Sequence, residues 1–458
     1  MKILLINPPI REWAEPNCIP SGLGYLASVL VDAGYEAEIL DINGHRYSRR
    51  EVEARIKTSD ADVFGVGGMI TVYSYIKWLT QVIKQYHPDR TIIGGGSSAS
   101  SIPRIFLERT QADIAVIGEG ELTLLELIHA LRNGGDLRSI PGIWHKDGNG
   151  KIDANPPRPA IKNLDTIPFP MWDLFPMDVY LHNPVGAPNI GKWENGKPSS
   201  DTPLTMNVLT SRGCPYQCIY CYHDFMGMKY RHRSPQNILD EIVYLADRYG
   251  VDYIHFTDDD FVINRKHVIE FCNLLLESGV NIQWGSTGRV NLMTEELLAK
   301  MAEAGCVWIG YGIESGSQKM LDTMKKKVTV EQAKKTIELT RKYIDQIDCS
   351  FMVGTPGETR ETIMETVEFC KELDLSPEVI FFATPYPGTE LYDIARRRGL
   401  IKDEEEFILS LWEQGEKITV NFSELSDDEL RHMRDWAIAE LKARNIARHS
   451  EDERVENQ

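Results

Sequence analysis

The stretch Ser211-Arg212-Gly213-Cys214-Pro215-Tyr216-Gln217-Cys218-Ile219-Tyr220-Cys221 places three thiols within eight residues. It follows directly on an apolar run at 205–210, the first of six β-like runs; the others are 252–257, 281–286, 306–312, 347–353 and 378–384. A loop at that point lies at the carboxyl end of a strand, where barrel sheets build their active sites. Three thiolates close enough to share one centre suit zinc or an iron–sulfur cluster. A structural zinc with His223 as fourth ligand is one reading, but such sites pair two ligands here with two elsewhere, and no second Cys/His pair has that spacing. Three cysteines without a fourth suit a [4Fe–4S] cluster with one iron left open, and an open position is what a catalytic metal requires.

Helical patterns separate the six runs. Ser234-Pro235 supplies a cap and a proline at the first helical position, with apolar residues at 238, 242, 245 and 249 before Gly250. Asn264 and Thr294 are candidate caps for the next two helices. Six successive βα units predict a partial, TIM-like (β/α)6 barrel, short of the eight of a closed one. Further on, Ser426-x-x-Glu429 forms a capping box that opens a helix to about Ala447, and the tail Glu451–Gln458 reads as disordered.

Upstream, apolar runs at 2–6, 36–40, 62–67, 91–94 and 113–117 alternate with helical patterns at about 22–33, 73–86 and 121–132. This rhythm predicts βαβ units in a doubly wound, Rossmann-like sheet. The α/β chain is thus expected to divide into a front domain at 1–135, a linker or lid at 136–203, the barrel at 204–395 and a C-terminal helical region at 396–458. Asp147-Gly148-Asn149-Gly150 suits a hairpin turn. The Pro168–Gly196 segment, with Trp172, Phe175, Tyr180 and Trp193, is a candidate substrate lid, with interdomain packing as the alternative.

Composition narrows the function. Of 458 residues, 42% are hydrophobic and 26% charged, which fits a folded globular chain. Lys plus Arg (50) against Asp plus Glu (68) leaves a net charge of −18, so neither nucleic acid nor a membrane surface is the expected partner. No apolar run approaches a membrane span, and Ile3–Ile6 is too short for a signal-peptide core. Eight clustered or scattered cysteines fit a reducing, cytoplasmic setting rather than a disulfide framework.

The spacing of Cys214, Cys218 and Cys221, with Tyr220 before the last cysteine, resembles the CxxxCxxC signature of the radical SAM superfamily. That resemblance implies a [4Fe–4S] cluster whose open iron chelates S-adenosylmethionine, which one electron then cleaves to a 5′-deoxyadenosyl radical. Further segments match the family at successive strand ends. Thr257-Asp258-Asp259-Asp260-Phe261 resembles the segment that meets the SAM ammonium, with helix capping as the alternative. Arg289 resembles the arginine that pairs the SAM carboxylate, an exposed arginine being the alternative. Gly312-Ile313-Glu314-Ser315-Gly316 resembles the ribose and methionine contacts, and Met352–Glu358, with Gly354, the adenine motif. Cys272, Cys306, Cys349 and Cys370 read as buried structural thiols, and Cys18 lies in an irregular loop.

The front domain lacks a GxGxxG with a following acidic residue, which disfavours a dinucleotide. It resembles the cobalamin-binding domain that precedes the barrel in one large radical SAM subclass. The implied contacts are Pro9, Gly68, Met69, Ile70, Thr71, Gly94, Gly95, Ser97, Gly118, Glu119 and Gly120. The DxHxxG that brings a histidine to cobalt is absent. The resemblance implies a methyltransferase acting on an unactivated carbon of a small molecule or natural-product intermediate, through a 5′-deoxyadenosyl radical and methylcobalamin, in the crevice between domains. Two alternatives share its signature: a cyclase or rearrangement enzyme with the same cofactors, and a radical SAM enzyme whose front domain binds no cobalamin. An RNA methylthiotransferase would need a second cysteine triad and a basic module, and a non-enzymatic carrier would not need a SAM pocket. A flavodoxin- or ferredoxin-type electron donor is implied; no residue is singled out as catalytic.

Overall fold

A computed structural model of the chain describes residues 1–11, 15–182, 193–194, 197–198, 202–411 and 415–456, with side chains as far as 445 but not for 193–194 and 197–198. The chain forms two compact units: Met1–Pro215 with Tyr222–His255 and Ile401–Leu411, and Tyr216–Cys221 with Phe256–Leu400 and Trp412–Gln458.

The first unit carries a seven-stranded sheet: β1 (Lys2–Asn7), β2 (Glu36–Asp41), β3 (Val63–Gly67), β4 (Thr91–Gly95), β5 (Ile114–Val116), β6 (Ile143–Lys146) and β7 (Ile152–Ala154). Its order is β2-β1-β3-β4-β5-β6-β7. The first five strands run parallel; β6 and β7 are antiparallel. From β1 the chain crosses to β2 on one side and returns to β3 on the other. The turns after β1 and β3 therefore diverge and open a crevice at the strand ends, where doubly wound sheets bind ligands. Side chains alternate along each strand: Ile3, Leu5, Val63, Ile93 and Ile114 pack with Ala27 and Leu30 of helix Ser21–Asp32 and with Leu124, Leu127 and Ile128 of helix Glu121–Asn133.

Three features of this unit differ from the sequence expectation. Strands β6 and β7 lie beyond residue 135 yet extend the front sheet, joined by the turn at Asp147–Gly150 with Gly150 at φ 80°. Helices Arg49–Thr58 and Pro103–Arg109 were not expected, because the first buries only Val52 and Ile56 and the second, seven residues long, only Phe106 and Leu107, which leaves a faint period. Within the aromatic segment, Trp172, Phe175 and Tyr180 are buried, and Tyr180 donates to Asp41 at 2.7 Å. They are packed into this unit; residues 183–192 and the Trp193 side chain lie outside the described residues.

A second sheet follows strict sequential order through six strands: Thr205–Val208, Tyr253–Phe256, Gln283–Gly288, Cys306–Glu314, Gln346–Val353 and Ile380–Phe382. Helices Pro235–Tyr249, Arg265–Ser278, Glu295–Glu303, Val330–Thr340, Arg360–Glu372 and Glu390–Arg397 follow them in turn. This is the half barrel expected from the six runs. Ser234, Asn264 and Thr294 each cap a helix, accepting from the backbone N–H three residues on. Phe256, Phe261, Phe271 and Trp284 form an aromatic wedge under the second and third strands of this sheet. Ser426 and Glu429 exchange the two hydrogen bonds of a capping box. The helix they open runs Asp427–Glu456, past the expected end near Ala447, since its last turns are charged helix formers with no Gly or Pro to stop them.

Candidate functional site

The cysteine loop is held by its backbone. Ile219 N–H donates to the Met324 carbonyl, Leu391 N–H to the Ile219 carbonyl, and Cys221 N–H to the Cys218 carbonyl. Cys214 is half-buried, Cys218 buried and Cys221 exposed, and none is in a disulfide. Among the described residues no three His, Cys, Asp or Glu side chains converge on one metal-ion position. An iron–sulfur cube, by contrast, takes its ligands at separate corners. The Cys218 thiol is pushed down: a hydrogen bond with Cys221, then the positive charges of Lys326 and Arg289, outweigh burial. Lys326 is buried, with its ammonium 2.9 Å from Glu314 Oε1 and 3.2 Å from the Tyr220 hydroxyl, and Tyr220 donates to the same carboxylate at 2.9 Å. Glu314 sits in the left-handed region at φ 71°, which turns its carboxylate back over Gly312, where a Cβ would stand 2.5 Å from Oε1.

The ends of the third and second strands of the half barrel supply the polar groups. Arg289, 8% exposed, stacks its guanidinium 3.7 Å from the centre of the Tyr216 ring. Its Nε and Nη2 are buried with no hydrogen-bond partner among the described residues. Buried guanidinium N–H groups are costly to leave unpaired, so this pair fits a planar anion such as a carboxylate. Asp260, also buried, accepts from Val262 N–H, and burial pushes its carboxyl up to about 7 despite that bond and the Arg289 charge. The helix that follows is capped by Asn264 instead, so capping does not account for the acidic triplet. Asp258 is buried, its carbonyl accepting from the Thr287 hydroxyl, while Asp259 is exposed.

Ser315 and Gly354 serve local structure. The Ser315 hydroxyl meets that of Thr366 at 3.1 Å and accepts from Ser317 N–H, tying the strand end to helix Arg360–Glu372. Gly354 holds φ 89°, and its N–H and that of Thr355 both point to the buried Glu358 carboxylate.

Above the front sheet lies an open pocket of about 250 Å³. Glycines make up much of the wall: Gly22, Gly65, Gly67, Gly68, Gly94, Gly95, Gly96, Gly118 and Gly120. A Cβ added at Gly22 or Gly95 would enter open space, so the missing side chains are what make the pocket. The rest of the floor is apolar, with Leu5, Val66, Ile93 and Val116. Of the expected cobalamin contacts, Gly68, Gly94, Gly95, Gly118, Glu119 and Gly120 line it; Pro9, Met69, Ile70, Thr71 and Ser97 do not. Met69 is 45% exposed and Ile70 buried. The Glu119 carboxylate is fully engaged: Arg212 Nη1 donates to it at 2.8 Å, Arg231 Nη1 at 2.8 and 2.9 Å, and Ile161 N–H at 2.8 Å. Burial alone would raise its pKa, but these bonds hold it below the usual range.

Lys326, Tyr216, Arg212 and Arg231 are the site residues that motif reading passed over. Lys326 is the middle of three consecutive lysines, and nothing local marks it as the buried one. Cys18, whose burial raises its thiol to about 11, is an inert group, as are Cys272 and Cys370, each pushed up to about 12.

Comparison with known proteins bears on both sites. The model of the radical SAM superfamily matches residues 208–370, and that of the B12-binding domain residues 10–128. A protein of Pyrococcus horikoshii named as an uncharacterized methyltransferase is 33% identical over 88% of this chain and 84% of its own. The cytidylyl-2-hydroxyethylphosphonate methyltransferase of Streptomyces wedmorensis is 29% identical over 97% and 89%. The anaerobic magnesium-protoporphyrin IX monomethyl ester cyclase of Rubrivivax gelatinosus is 29% identical over 86% and 69%. In fold the chain is similar to the radical SAM methyltransferase TsrM of Kitasatospora setae, solved with cobalamin and a [4Fe–4S] cluster, at TM-score 0.69 and 23% identity over 87% of this chain and 76% of that one. With a glycine-walled pocket over a 2-1-3-4-5 sheet ahead of a half barrel bearing a three-cysteine loop, the chain belongs to the cobalamin-dependent radical SAM enzymes, the family of methyltransferases and related cyclases.

Proposed function

We propose that this enzyme transfers a methyl group to an unactivated carbon of a small molecule, with Cys214, Cys218 and Cys221 holding the [4Fe–4S] cluster. When bound, the cluster and SAM supply a 5′-deoxyadenosyl radical, and cobalamin supplies a transferable methyl group. Residues 1–135 form the corrinoid domain, 136–203 the connecting segment, whose β6–β7 hairpin extends the front sheet, 204–395 the radical barrel and 396–458 its helical extension. Arg289 binds the SAM carboxylate, oriented by its stack on Tyr216. Asp260, with Asp258 and Asp259 beside it, receives the SAM ammonium, and pairing with that cation ionises the carboxyl that burial holds back. Tyr220 and Glu314, locked by Lys326, define the wall next to the cysteines. Ser315 and Gly354 shape the turns that meet the nucleoside. Gly68, Gly94, Gly95, Gly118 and Gly120 let a flat ring approach the front sheet, with Glu119 bracing the wall and Pro9, Met69, Ile70, Thr71 and Ser97 at its margin. A flavodoxin- or ferredoxin-type protein supplies electrons.

The observation that carries the reading is the Arg289 guanidinium, buried beside Tyr216 of the cysteine loop, with Nε and Nη2 unpaired among the described residues. The test is anaerobic protein with reconstituted cluster, cobalamin, SAM and reductant, assayed for nucleoside products. Release of both 5′-deoxyadenosine and S-adenosylhomocysteine supports methyl transfer. Deoxyadenosine alone turns the reading to cyclisation or rearrangement, the activity class named for the Rubrivivax relative. No SAM cleavage overturns it.

A further inference from the structure

The front pocket holds one carboxylate that the described residues leave half engaged. Glu121, the first residue of helix Glu121–Asn133, lines the pocket and is 5% exposed. Its Oε1 accepts from Arg212 Nη2 at 2.6 Å. Its Oε2 is buried with no hydrogen-bond partner among the described residues. The other polar side chains lining the pocket are committed: Glu119 to two arginines and a backbone N–H, Asn7 Nδ2 to Asp41 at 2.7 Å, and Arg212 to both glutamates. An acceptor with half its capacity buried and empty is expensive unless a ligand donor completes it.

The chemistry of that donor is restricted. A second cation would crowd Arg212, and an anionic group would face a buried negative oxygen. A neutral N–H fits both constraints. Resting on the reading of this pocket as the corrinoid site, we propose that Glu121 Oε2 receives a carboxamide N–H from the periphery of the corrin ring. Glu121 thereby becomes the residue that reads one amide of the cofactor, whereas Glu119 two residues earlier is a brace between the helix and the ribbon formed by Ser211–Arg212 and Arg231–His232. Glutamate at both positions looks equivalent in the sequence; only the distribution of arginine donors separates the roles.

The test compares wild type with Glu121→Gln, binding cobalamin and cobalamins in which a single peripheral carboxamide has been hydrolysed to carboxylate, at neutral pH, by absorption titration. Gln keeps an oxygen for Arg212 and offers an N–H₂ to the pocket, so the fold is retained, checked by the melting temperature. The wild type is expected to bind one of these acids on the order of tenfold to a hundredfold more weakly than the others. Glu121→Gln is expected to remove that discrimination, because its amide donates to a carboxylate. If the wild type treats all the acids alike, or if Glu121→Gln shifts all of them equally, the assignment to Glu121 is overturned while the corrinoid reading stands. If the wild type binds no corrinoid at all, the reading of the pocket itself fails.

Discussion

At the scale of single residues, burial converts ordinary side chains into specific ones. Asp260 is the clearest case, its carboxyl raised to about 7 by desolvation, with Val262 N–H and the charges of Arg289 and Lys326 only partly offsetting this. Below about 7 the group is neutral and has little to offer an ammonium; above it the carboxylate forms. SAM binding is therefore expected to strengthen by several-fold as pH rises from about 6 to about 8, and Asp260→Asn should flatten that dependence while weakening binding at the upper end. Equilibrium binding of SAM across this range checks it; an unchanged slope in the variant would remove Asp260 from the ammonium site. Lys326 illustrates the same principle with the opposite sign. One buried ammonium neutralises Glu314, orients Tyr220 and lowers the Cys218 thiol, three effects that a solvated lysine would not have.

At the scale of elements, the strand-to-helix turns do the work, and each is tuned by a different device. The turn after β4 works by omission. Gly95 has an extended backbone at φ −150°, so a side chain there is unstrained, yet it would enter the pocket. Gly95→Leu is expected to fold with wild-type stability, keep its iron, and lose corrinoid binding by more than tenfold; a variant that binds cobalamin normally would place the ring elsewhere. The turn Gly354–Glu358 works through a buried acid. Burial raises Glu358 to about 7 even though Gly354 and Thr355 N–H groups favour its charged form. With the folded value above the unfolded one, the stabilising contribution is complete below about 4.5 and is lost as pH climbs through 7, on the order of 3 kcal/mol across the window. Glu358→Gln keeps the acceptor without the charge, so it should gain stability relative to wild type at pH near 8 and show little gain near 5. Urea denaturation at the two values measures this, and an equal difference at both would disprove it.

For the whole molecule, two cofactor sites on one chain make separable demands. The cysteine loop and its polar partners Tyr220, Arg289, Glu314 and Lys326 draw on the half barrel, and the glycine-walled pocket draws on the front sheet. Protein prepared without cobalamin is accordingly expected to retain iron and to cleave SAM, while methylated product falls to background; restoring cobalamin should restore it. Product formation at full rate without cobalt would discard the methyl-transfer chemistry. Among the described residues no helix is long and apolar enough to cross a membrane.

Much of this architecture was legible before any coordinates. The cysteine spacing, the six βα repeats and the glycine turns are local patterns, and local patterns are written in consecutive residues: a thiol triad on a short loop, periods of two and of 3.6, a cap three residues before its partner. The short amphipathic helix Arg49–Thr58 escaped because its local signal is faint, and the hairpin turn at Asp147–Gly150 was legible without showing that its two strands join the front sheet, which a pairing of distant residues decides. What tertiary structure decided is which charges are buried and with whom. Arg212 meets Glu119 across 93 residues and Arg231 meets it across 112. Tyr220 meets Glu314 across 94. The sequence shows each of these only as one charged or polar residue among many, since desolvation is a property of the surrounding fold and not of the residue. The sequence by itself determined the βα rhythm of two sheets and a thiol triad at a strand end, and through those motifs a resemblance to radical enzymes with a second cofactor domain; only the packed chain determined that the Glu119 carboxylate is taken up by two arginines while Glu121 Oε2 has no hydrogen-bond partner among the described residues.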